Sequence, residues 1–122
     1  MPFSTTVSSI RTTQNELHIL NTLKNTMEEK CGFPFVRTGP KTRQYAILRQ
    51  TLAYTASKHN VRTSHIAAFL GYSSHQSVIH AIKLIDGLIS YDKNIQQLCK
   101  WTENELEYRQ SFGILAQQTY EI

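Results

Sequence analysis

The sequence predicts an all-α fold, a helical bundle carrying a helix-turn-helix, and three observations predict it. Apolar residues recur at helical spacing in one segment after another, and no stretch alternates as a strand does. The 3 Pro and 5 Gly fall mainly between those segments, where they punctuate instead of breaking helices. With 122 residues and 40% of them apolar, the chain can bury one core. The expected division is residues 1–40 as a flexible N-terminus, one extra helix and a linker, and 41–122 as the helix-turn-helix domain.

Met1 to Thr12 is rich in Ser and Thr without periodicity, and is expected to be a mobile lead-in. Thr13 and Glu16 fit the S/T-x-x-E capping box, so a helix is expected to begin there with Leu17, Leu20, Leu23 and Met27 inward and to end at Gly32. Cys31 to Pro40 holds Gly32, Pro34, Gly39 and Pro40, which reads as an ordered linker with Phe33, Phe35 and Val36 against the core. A second helix runs from Lys41 to about His59, with Tyr45, Leu48, Leu52 and Ala56 inward and Arg49 and Lys58 away from the core; Asn60 tolerates the left-handed turn that closes it.

The chain is organised around Thr63 to Asp86. A short helix capped by Thr63, with Ile66, Ala67 and Leu70 inward, stops at Gly71. Ser73 or Ser74 caps the next helix, which buries Val78, Ile82, Ile85 and Ile89 and ends near Ser90. This is the outline of a helix-turn-helix with a slightly lengthened turn. Asp92 is placed to cap a last helix carrying Ile95, Leu98, Thr102 and Leu106 and continuing past Phe112.

The net charge of +4 and pI near 9.2 are modest, but their distribution is not. Between Lys30 and Ile85 there is no Asp or Glu, whereas Lys30, Arg37, Lys41, Arg43, Arg49, Lys58, Arg62 and Lys83 all fall there, with four histidines. A centre without carboxylates suits a phosphate-facing surface. Short side chains at Ser73, Ser74 and Ser77 would let the second helix's N-terminus approach phosphate closely. Gln76 has the amide fork that pairs with adenine, and His75 can donate to guanine or phosphate. His80 reads equally as a hydrogen-bonded structural group or a phosphate contact.

Enzyme chemistry finds no support in the residues. There is no G-x-x-x-x-G-K-[ST], no G-x-S-x-G and no H-E-x-x-H. His75 and His80 are separated by about 500° of helix rotation, a poor metal pair. Cys31 and Cys99 lack metal spacing and read as reduced thiols. No enzyme activity, cofactor, metal or nucleotide is expected. The longest apolar runs fall short of a membrane span and the N-terminus has no apolar core of a signal peptide, so a cytoplasmic protein is expected.

Taken in order, Arg49-Gln50, Ile66-Ala67, Leu70-Gly71 and the run Gly71-Tyr72-Ser73-Ser74-His75-Gln76-Ser77-Val78-Ile79-His80-Ala81, with Ile85 after it, carry a resemblance. From about Arg43 to Leu106 the chain resembles domain IV, the DNA-binding domain of the bacterial chromosomal replication initiator DnaA, which has a Trp-repressor-like helical fold. That family shows Arg-Gln, Ile-Gly, Phe-Gly and a signature close to Gly-Gly-Arg-Asp-His-Thr-Thr-Val-x-His-Ala. The resemblance implies groove reading by His75, Gln76 and Ser77, with Ser74 in the place of the Asp. It implies phosphate contact by Arg49 and Gln50, and a minor-groove arm at Arg43 or Lys41. Here Ser73-Ser74 replaces Arg-Asp and Gln76 replaces the first Thr, so the target is expected to differ from the initiator's usual box.

The expected protein is thus a stand-alone, DnaA-like domain without the ATPase module, of the sort a phage or mobile element carries, acting in the nucleoid or host cytoplasm. Its expected function is sequence-specific double-stranded DNA binding in replication control or transcription regulation. Arg43, Arg49, Gln50, Lys58, Arg62, Ser73 and His80 would contact phosphate or minor groove; about five such contacts imply a log-log salt slope near −4.5. The alternative is a protein-interaction module with an inherited helix-turn-helix. Its helix at Thr13 to Glu29 would then bind a host replication or regulatory protein, whereas on the DNA-binding reading a homodimer through the same helix would predict two half-sites about one helical turn apart.

Overall fold

Helical periodicity translates into five helices, described in a computed structural model: α1 (Pro2–Cys31), α2 (Arg43–Lys58), α3 (Thr63–Leu70), α4 (His75–Leu88) and α5 (Lys93–Glu121). The structure describes the backbone of residues 2–32 and 43–121 and the side chains of 14–32 and 43–111; among these there is no strand. The linker residues Phe33, Phe35, Val36 and Lys41 lie outside the described residues. The protein is all-α, and no described helix is long and apolar enough to cross a membrane.

The central element is α2. Six consecutive residues, Thr51 to Ala56, are buried, which happens only when a helix is covered on every side. One core cluster joins its Tyr45, Leu48, Leu52 and Ala56 to Leu20, Leu23 and Met27 of α1, Ile66 and Leu70 of α3, Val78 of α4 and Leu106 of α5. A second joins Tyr54 to Ile85 of α4 and to Ile95 and Cys99 of α5.

Three ends follow from local chemistry. Gly32, Asn60 and Gly71 take φ of +82°, +67° and +76°, the left-handed conformation that Gly and Asn tolerate best. Behind two of them the amides of Val61 and Tyr72 reach back to Ala56 and Ala67 at 3.1 and 2.9 Å, which closes α2 and α3. Asp92 Oδ1 accepts from the amides of Asn94 and Ile95 at 2.9 and 3.2 Å and starts α5.

Other expectations are corrected. The helix expected at Thr13 starts at Pro2, a residue suited to a first turn because it has no amide hydrogen to leave unpaired. Glu16 therefore sits within the helix instead of in its first turn. Its side chain is 4% exposed and meets Arg62 at 3.5 Å and His65 Nδ1. Turning Glu16 inward turns Leu17, 100° away, outward, and Leu17 is 49% exposed. The inner face is Glu16, Ile19, Leu20, Leu23, Thr26 and Met27. At α3 the cap is Arg62 instead of Thr63, with extended φ −68° and ψ 142°; its carbonyl accepts from the amides of His65 and Ile66 at 3.0 Å.

The long helices are tied by charge at their far ends. Arg109 of α5 donates to Glu29 of α1 at 2.5 Å, and this hydrogen bond holds the Glu29 carboxyl below its ordinary pKa. Lys30 lies 4.5 Å over the Trp101 ring.

Candidate nucleic-acid interface

The candidate surface is built from α4, its preceding loop and one side of α2. Helical geometry divides α4 cleanly. Val78, Ala81 and Ile85 are buried, and the helix packs against both α2 and α3. Gln76, His80, Lys83 and Gly87, spaced by four, three and four residues, form the opposite, exposed stripe. Asp86 is the first carboxylate along α4, three residues after Lys83.

The loop Gly71 to Ser74 presents the start of α4. Ser74 is the N-cap residue, with φ −155° and ψ 161°, but its side chain makes no capping hydrogen bond. No acidic residue stands in the first turn, so the positive end of the helix dipole is uncovered. Ser73, Ser74, His75 and Gln76 are exposed and Ser77 is half-buried.

Arg49 does not stand away from the core, as expected from the sequence, but is half-buried. Its guanidinium donates to the Leu70 carbonyl at 2.5 Å and lies 4.9 Å from the Tyr72 ring and 6.0 Å from that of Tyr45. One planar cation thereby joins α2 to the end of α3 and the loop beyond it. Burial pushes the Tyr72 phenol above its ordinary pKa, and Arg49 opposes this in part.

Gln50, next to Arg49, faces α4. With Tyr72, Gln76, Ser77, His80 and Ala81 it lines an open cleft of about 430 Å³. Arg43 is exposed at the start of α2, seven residues before Gln50 and so almost directly above it on one face, about 10 Å away by helical rise.

The remaining cationic candidates stand elsewhere. Arg62 is held by Glu16. Lys58 lies 4.7 Å over Tyr54, in a separate cleft shared with Cys99 and Glu103. Its hydrogen bond with Tyr54 raises its pKa, whereas burial raises that of the Cys99 thiol. His59 meets Glu103 at 2.7 Å. The carboxylate-free window thus gains acids on folding: Glu16 of α1 reaches Arg62 and His65, and Glu103 of α5 reaches His59. Among the described residues, the cleft at α4 has no acidic lining.

Sequence reasoning missed Tyr72 and Lys83. Lys83 was legible, being seven residues after Gln76 on the same helical face; Tyr72 was not, because its place depends on Arg49. A larger cavity of about 570 Å³, with Lys30, Tyr45, Leu98 and Trp101 in its lining, lies between α1, α2 and α5 and shares no residue with the α4 cleft. The described residues contain no group of three or more His, Cys, Asp or Glu able to hold a metal. Comparison with protein-family models, with curated proteins and with solved structures finds no match.

Proposed function

We propose that the protein binds double-stranded DNA sequence-specifically, with α4 in the major groove, in replication control or transcription regulation. The observation that carries this reading is the two-sidedness of α4: its apolar stripe is locked into the core while an amide, an imidazole and an ammonium project on the free side. A rigid helix with such a face is what groove reading requires. The uncovered dipole end, the small serines beside it and the acid-free cleft support the same reading. His75, Gln76 and Ser77 read bases, with Ser74 beside them; Arg43, Lys83, Ser73 and His80 contact the backbone. The resemblance to the initiator's DNA-binding domain supports the base-reading set, whereas the phosphate role that it implies for Arg49 gives way to the bond with the Leu70 carbonyl.

With Arg49 and Arg62 engaged within the protein and Lys58 in a separate cleft, Arg43 and Lys83 neutralise about two phosphates, which corresponds to a log-log salt slope near −1.8. Selection of bound duplexes from a random pool, followed by salt titration of the best one, is the test. An enriched motif bound with this slope is expected; no retention of duplex at low salt, or binding indifferent to salt, overturns the reading. The second reading, a protein-interaction module, is favoured by the exposure of Leu17 on α1. Co-purification of a partner together with failure to retain any duplex decides for it.

A further inference from the structure

The cleft between α2 and α4 contains an unusual pairing. Two carboxamides from different helices, Gln50 and Gln76, line the same space, with Ser77 and His80 beside them and the ring of Tyr72 as a wall. Each carboxamide offers two donors and one acceptor in a planar fork, the geometry that matches N6 and N7 of adenine. An aromatic wall beside such a fork suits the methyl group that marks thymine in the same groove.

The wall is fixed. Arg49 spans from the Leu70 carbonyl to the Tyr72 ring, so the loop cannot swing without breaking that hydrogen bond and the ring contact. Because Arg49 and Gln50 are consecutive, one points to the loop and the other, 100° round the helix, reaches the cleft. A phosphate contact asks only for charge and reach, and Gln50 has no charge. What it has is a directional fork in a cleft without acidic lining.

We propose that Gln50, Gln76 and Tyr72 form one site for the major-groove edge of A·T base pairs, with Arg49 as the positioning residue that holds Tyr72 in place. The inference rests on the DNA-binding reading and assigns to α2 a direct share of specificity. Gln50 is then a base reader and not a backbone contact.

The test is random-pool duplex selection with the full chain and with its Q50A and R49M variants, each checked for helix content and unfolding midpoint. The full chain is expected to enrich a motif with invariant A·T positions. Q50A is expected to lose about tenfold of the preference at one A·T position, with affinity for scrambled duplex and the salt slope unchanged. R49M is expected to relax the motif while the salt slope stays constant, since no phosphate contact is lost. Uniform weakening of Q50A on all duplexes overturns the inference and leaves the DNA-binding reading standing. So does an unchanged Q50A motif. A reduced salt slope for R49M overturns the positioning role. Failure of the full chain to retain any duplex overturns both.

Discussion

At the scale of single residues, the deciding feature is where polar groups end up once buried. Glu16 is almost fully enclosed and depends on His65 and Arg62. Replacing it by Ala leaves their side chains without the buried carboxylate, and E16A is expected to cost about 1–3 kcal/mol by urea unfolding. The hydroxyl of Thr55 is buried with no hydrogen-bond partner among the described residues. T55V keeps the branched shape and removes the orphaned hydroxyl, so it is expected to gain about 1 kcal/mol in the same measurement. Tyr72 carries a pH signature: its folded pKa is raised above the ordinary value of 10.0. Its contribution to stability is therefore complete below about pH 10 and declines as pH rises through the folded value. Spectroscopic titration of the chain against Y72F is expected to show that the missing tyrosine is a late one to ionise.

Elements obey their ends and faces. The carboxylate of Asp92 caps α5 through two amides, and D92A is expected to lower the unfolding free energy by about 0.5–2 kcal/mol. Gly87 is the counterexample among the glycines. It lies within α4 and a Cβ added there meets nothing within 4 Å. G87A is therefore expected to stabilise the protein by about 0.5–1 kcal/mol, read as a higher unfolding midpoint. These ends were legible because caps are local chemistry: Gly32, Asn60, Gly71 and Asp92 were all placed from residue type alone. The start of α1 was not. Ser and Thr are weak helix formers, and a capping pattern at Thr13 competes on paper with a helix that runs through it.

For the molecule as a whole, the organisation follows from α2 being surrounded. Its burial from Thr51 to Ala56 forces every other helix to pack around it. It also turns Arg49 toward the Leu70 carbonyl and Gln50 toward the cleft with α4 within one turn. The apolar stripes, the five helical segments and the outward face of α4 follow from spacing along the chain, because a helix of 3.6 residues per turn converts sequence period directly into a face. Which polar group meets which cation does not. Glu16 lies 49 residues from His65, and Glu103 lies 44 from His59, and no local rule connects residues so distant. Only packing brings them together, removes Arg49 and Arg62 from the set of free cations and places Gln50 beside Gln76. The chain's own pattern settles that there are five helices and most of their inner faces, the start of α1 and the exchange of Leu17 for Glu16 on its inner side excepted; the tertiary structure decides which charges stay exposed, because ion pairing depends on distance in space and not on position along the chain.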